Sequence, residues 1–121
     1  MKHISLLALL ALAACATVPD RNIVNGPTAP LGETANLEGI TVRPLAVVED
    51  SRCPLLVRCV WAGRVRISAE VRGAGTRELT LGEPVAASGG TLTLVDVRPS
   101  KRTPEAIASR EYQFTFTFQR P

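Results

Sequence analysis

The side chains whose type and spacing carry the clearest chemistry are thiols. The 121-residue chain holds Cys15, Cys53 and Cys59, with one His (His3) and one Met (Met1), both near its start. Five residues separate Cys53 from Cys59. A dithiol redox centre wants two intervening residues and a helix start that lowers one thiol pKa. A zinc or copper site wants three or four ligands from Cys, His, Met or carboxylate. Neither requirement is met around 53–59, so no metal and no cofactor is expected. In an oxidising compartment the pair reads as a disulfide.

The compartment is read from the first residues, MKHISLLALLALAAC. Lys2 supplies a positive start, and Ile4 to Ala14 is almost wholly apolar. That stretch is shorter than the ~20 residues a membrane span needs, and has the form of a secretory leader. Leu12-Ala13-Ala14-Cys15 resembles the lipobox of bacterial lipoproteins. The resemblance implies cleavage after Ala14 and lipidation of Cys15 with palmitate-like acyl chains, several of which give stable membrane anchoring. Residues 1–14 are then the signal peptide and Cys15 the mature N-terminus. Ala16 stands where an Asp would resemble an inner-membrane retention signal, so the periplasmic face of an outer membrane is the expected location. Export supports the Cys53–Cys59 disulfide, which the chain-entropy estimate values at about 2–2.5 kcal/mol for so small a loop.

Loss of the leader removes His3, and with it the side chain most used for proton transfer near neutral pH. Ser-His-Asp and Cys-His arrangements are excluded. A carboxylate pair could still act as in glycoside hydrolysis. However, Glu49, Asp50, Glu70, Glu78, Glu83 and Asp96 are scattered, and a chain of this size builds no long cleft. Gly73-Ala74-Gly75 and Gly89-Gly90 read as turns between strands rather than phosphate loops. No catalytic residue is expected. The net charge of +3 has no long basic run behind it, which argues against a nucleic-acid binder. Arg64, Arg66, Arg72 and Arg77, interleaved with Glu70, Glu78 and Glu83, read as a solvated strand face.

The elements that must position these residues are strands. Residues 15–32 hold three Pro and two Gly with no apolar period and read as a flexible tether, with the domain, 33–121, starting near Glu33. Glu33 to Leu37 is a short strand. Ile40 to Val48 is a longer one in which Pro44 marks an edge or a bulge. Val65, Ile67, Ala69 and Val71 alternate with Arg64, Arg66, Ser68, Glu70 and Arg72. Glu78–Leu81 and Thr91–Val97 follow, and the final strand sets Tyr112, Phe114, Phe116 and Phe118 on one face. Six or seven strands with Gly/Pro turns and no helical crossover predict an all-β fold, a small antiparallel sandwich or partly open barrel. A short helical turn is expected near 104–109, with Thr103 as cap and Pro104 at its first position.

Within 53–59 the apolar residues are expected to pack down on the core. The alternative is a braced recognition loop projecting Leu55, Leu56 and Val57 beside Arg58. Trp61 is expected to pack on the disulfide or cap the core, with ligand stacking as the alternative. Gly63 allows a tight turn or a close approach, and Asp50, Ser51 and Arg52 tie the loop to the domain by hydrogen bonds. Leu55, Leu56, Arg58 and Trp61 are thus the candidate binding residues.

Asp50-Ser51-Arg52-Cys53-Pro54, Cys59 and Trp61-Ala62-Gly63 together resemble a family of small bacterial lipoproteins with a DSRCP…CxWAG motif. The likeness runs from about Leu31 to Phe118. It includes LGE at 31–33, RPL at 43–45, LTLGEP at 79–84 and the Tyr-x-Phe-x-Phe end. The C…CxWAG centre is its specific part. The resemblance implies export, a disulfide and one β domain, and brings no activity, substrate or cofactor. The function expected is a membrane-tethered, non-enzymatic envelope module that binds an envelope protein or polymer. The alternative is an inhibitor of a periplasmic or secreted hydrolase that presents loop 53–59.

Overall fold

A computed structural model describes residues 26–121. The expected leader 1–14 and Cys15 lie outside the described residues. Among these residues the fold is all-β, two antiparallel four-stranded sheets facing each other, with no closed barrel. One sheet pairs β1 (Thr28–Ala29), β8 (Gln113–Gln119), β7 (Gly90–Arg98) and β6 (Val85–Ala87), in that order. The other pairs β2 (Ala35–Leu37), β3 (Ile40–Asp50), β4 (Val65–Val71) and β5 (Gly75–Thr80). Eight strands replace the six or seven expected. The additional ones are the two- and three-residue β1 and β6, too short to show a period.

Period 2 decides which side chains enter the core. On β4, Val65, Ile67, Ala69 and Val71 are buried while Glu70 is exposed. On β8, Phe114 and Phe116 are wholly buried and Tyr112 lies just before the strand on the same face. These residues meet Leu92 and Leu94 of β7, and Val42 and Leu79 of the facing sheet, in one apolar layer. Ala29 of β1 joins that layer, and Thr28 hydrogen-bonds its hydroxyl to that of Thr115 at 2.8 Å. The folded body therefore begins before Glu33, and the segment 26–32 is not free tether. Its two strand residues lack a hydrophobic pattern of their own and are held by β8.

Bulges reset the phase where the alternation fails. On β7, Leu94 pairs with Phe116 but Asp96 with Thr115, so Val95 is an extra residue and Val97, not Asp96, turns inward. On β3 the register slips between Pro44 and Ala46 and again between Val47 and Glu49. The extra residues, Leu45 and Val48, are exposed. Pro44 marks a bulge as expected, and its carbonyl accepts from the Gly32 N–H at 2.7 Å beyond the end of β2. The β6–β7 turn is Ser88-Gly89, both with positive φ (48° and 78°), the backbone that a two-residue hairpin of this twist requires.

The helical turn falls later than expected. Residues 104–108 form no helix, and a single 3-10 turn occupies Ser109–Glu111. Thr103 therefore caps no helix; its hydroxyl accepts from the Glu105 N–H at 3.4 Å, and the 3-10 turn has Ala108 at its N-cap with no side-chain cap. No helix propagates from there: Ala106 and Ile107 carry no regular structure, Ala108 is extended, and the 3-10 bonding begins only where the Glu111 N–H donates to the Ala108 carbonyl at 2.9 Å, just ahead of β8. No helix among the described residues is long and apolar enough to cross a membrane.

Candidate functional site

β3 ends at Asp50 and β4 begins at Val65, so residues 51–64 form the connection between them. Its stem is an extension of the strand pair. Ser51 N–H donates to the Arg64 carbonyl at 2.9 Å, and the Arg64 N–H donates to Ser51 Oγ at 3.0 Å. Gly63 lies so close to Ser51 that any Cβ would overlap the Ser51 carbonyl. The close approach expected at Gly63 is present.

Above the stem the loop is latched to the other sheet. Arg52 forks onto Asp50, with Nε to Oδ1 and Nη2 to Oδ2 both at 2.9 Å, while its Nη1 donates to the Val97 carbonyl on β7 at 3.2 Å. Tyr112 Oη donates to Asp50 Oδ2 at 2.7 Å. Lys101 Nζ donates to the Asp50 carbonyl at 3.0 Å, and the Leu55 N–H donates to the Lys101 carbonyl at 2.9 Å. Tyr112 is itself held by its ring, stacked on Phe114 with centroids 5.6 Å apart. Ionised Asp50, only 9% exposed, is thus the hub of the latch. Burial opposes its ionisation, but the Arg52 and Tyr112 hydrogen bonds and the Arg52 charge outweigh this and hold its pKa below the ordinary aspartate value. Burial and the bond to Asp50 push the Tyr112 phenol up to about 12. The expected role of Asp50, Ser51 and Arg52 in tying down the loop is what the geometry shows.

The tip departs from expectation. Cys53 and Cys59 are joined by a disulfide, with Cα atoms 5.9 Å apart. Inside it the Val57 N–H donates to the Pro54 carbonyl at 3.0 Å, which puts Leu55 and Leu56 at the two central positions of a turn. Central turn residues project outward. Leu55 is 67% and Leu56 82% exposed, and Val57 and Arg58 are exposed too. The expectation that these residues pack on the core is overturned: the latch holds the loop off a core that the strands already fill. Trp61 does not cap the core. It is 62% exposed, beside an almost fully exposed Val60. Five of the seven exposed large apolar residues among those described lie between Leu55 and Trp61. The structure therefore leaves Leu55, Leu56, Arg58 and Trp61 exposed on one loop, together with Val57, which the projecting-loop alternative already included, and adds Val60 to them. Only the run of apolar residues in the sequence hinted at Val60.

The arginines of β4 and its flank behave as a solvated face. Glu49 sits between Arg64 (2.6 Å) and Arg66 (3.4 Å), and Arg66 also pairs with Glu78. The hydrogen bond from Arg64 leads the effects that lower the Glu49 pKa. Among the described residues no three His, Cys, Asp or Glu side chains converge as they would around a metal ion. A surface depression of about 560 Å³ is lined by Arg77, Ser88, Thr91, Gln119 and Arg120. It lies at the opposite pole. β4 runs from the loop to the 72–74 turn, where Ser88 Oγ donates to the Arg72 carbonyl. β8 runs the same way, from Tyr112 beside Asp50 to Gln119 opposite Thr91. The convex loop and the depression are separate features. Comparison with protein families, with curated proteins and with solved structures finds no match to this chain.

Proposed function

We propose that this chain is a lipid-anchored module of the bacterial cell envelope that is not an enzyme and binds its partner through the braced loop 53–61. The observation that carries this reading is the exposure of Leu55, Leu56, Val57, Val60 and Trp61 on a loop fixed by a disulfide, a strand stem and the Asp50 latch. An apolar group of this kind, costly to leave in water, marks a contact surface. Its pre-ordering lowers the entropy lost on binding. Anchoring through Cys15, and kinship with the DSRCP…CxWAG lipoproteins, are supported by the sequence motifs.

A second reading, inhibition of a periplasmic or secreted hydrolase, is favoured by one specific feature. The Pro54–Val57 turn inside the disulfide is a narrow convex wedge of a shape that enters a cleft.

Mass spectrometry of the protein from its native host tests the anchor, with acylated residue 15 in the membrane fraction as the expected result. An unmodified residue 15 in the soluble fraction refutes it. Capture of envelope components by the wild-type chain and by Leu56→Asp tests the loop, and equal capture by both rules it out as the binding element.

A further inference from the structure

We infer that the partner of loop 53–61 is a lipid bilayer surface with anionic head groups, into which the tip inserts. This rests on the reading of the loop as the binding element. From Pro54 to Trp61 the only polar side-chain atoms that can hydrogen-bond belong to Arg58 and the Trp61 indole. A tip so short of specific donors and acceptors discriminates poorly between protein surfaces. It matches a medium that is apolar inside and polar at its boundary. Leu55, Leu56, Val57 and Val60 supply apolar surface for the acyl region. Trp is the residue enriched at the bilayer boundary, and Arg there extends its head to the phosphates.

Charge agrees with this occupant. Arg58 is exposed and takes part in none of the ion pairs among the described residues, whereas the carboxylates of the stem, Glu49 and Asp50, are both held by arginines. The neighbouring segment 100–111 sets Lys101, Arg102 and Arg110 against Glu105 and Glu111, which leaves this pole cationic. Chain length allows it. Gly26 lies beside Phe116, and four residues of β8, about 13 Å, separate Phe116 from Tyr112 at the loop end. The eleven residue steps from Cys15 to Gly26 span at most about 40 Å. A chain acylated at Cys15 can therefore lay its tip on the bilayer that holds it.

The test uses the chain from Ala16 to Pro121, exported behind an exchanged leader so that the disulfide forms and no acyl chain is attached. It contains every described strand. Trp61 is the single Trp, so its emission reports the tip alone. With vesicles of phosphatidylcholine and phosphatidylglycerol the emission is expected to shift to the blue, brominated acyl chains to quench it, and the protein to sediment with the vesicles. Leu55→Asp/Leu56→Asp is expected to weaken partitioning by about 10-fold or more. Val48→Asp, an exposed apolar site outside the loop, is expected to leave it unchanged. No blue shift and no sedimentation, or equal partitioning of the double variant, overturns the inference. If vesicles fail while Leu56→Asp still abolishes capture of an envelope protein, the bilayer is the wrong partner and the binding loop stands. If both fail, the loop itself is not the binding element.

Discussion

The Tyr112 hydroxyl donates a 2.7 Å hydrogen bond to Oδ2 of Asp50, a residue 62 positions away on the opposite sheet. Asp50 ends the strand that leads into the projecting loop, and Tyr112 precedes the strand that fills the core. One hydrogen bond therefore connects the packing of the sandwich to the pose of its tip. The fork from Arg52 completes the arrangement. Removing the phenol oxygen leaves a buried carboxylate short of a donor while the ring keeps its place. Tyr112→Phe is expected to cost about 1.5–3 kcal/mol, the range for a hydrogen bond to a charged group, read as a lower urea midpoint at unchanged slope.

Both ends of this hydrogen bond titrate away from their ordinary values, in opposite regions of pH. The Asp50 pKa is lowered on folding, so the unfolded chain takes up the proton first as pH falls. Its stabilising contribution is full above the ordinary aspartate value of 3.8 and is lost as pH drops through the folded value. The Tyr112 pKa is raised from 10.0 to about 12, so its contribution is full below 10.0 and is lost as pH climbs through about 12. Urea midpoints across pH are expected to show an acid limb that flattens in Asp50→Asn and an alkaline limb that disappears in Tyr112→Phe. An alkaline limb unchanged in Tyr112→Phe contradicts the assignment.

Phe116 and Leu56 are both large and apolar, yet their truncation should differ sharply. Phe116 is wholly buried and Leu56 is 82% exposed. Phe116→Ala is expected to cost about 3–5 kcal/mol, a large part of the stability of a domain this size. Leu56→Ala is expected to stay within about 0.5 kcal/mol, as surface changes do. Parallel denaturant titrations decide this, and a matching loss at Leu56 shows that the tip is buried in solution.

Gly63→Ala drives a methyl group into the Ser51 carbonyl at the stem. The strands must part or the loop must shift, at an expected cost of about 1–3 kcal/mol. Amide exchange reads the result, through faster exchange at Ser51 and Arg64, whose hydrogen bonds close the stem.

Much of the body is legible in the sequence because burial imposes a period. The run Val65, Ile67, Ala69, Val71 and the alternating aromatics 112–118 name β4 and β8, which with Tyr112 supply seven of the sixteen buried core residues among those described. β1 and β6 are hidden because two or three residues hold no period. The bulge at Val95 is hidden because only the partner strand reveals an extra residue. At the site, the disulfide and the anchoring role of Asp50 and Arg52 could be read from residue type and spacing. The exposure of the tip could not. Leu55, Leu56 and Trp61 look like core residues to any rule based on hydrophobicity. What keeps them out is the clasp on Val97, Lys101 and Tyr112, at sequence separations of 45 or more.

The Cys53–Cys59 bond has a practical corollary. Neither cysteine belongs to the packed core, so protein made in a reducing cytosol is expected to yield the right spectrum and a sharp melting transition while its apex stays slack and greasy. Such material would clump at high concentration and give misleadingly blank assays. Free-thiol titration should therefore precede every such experiment on a recombinant batch.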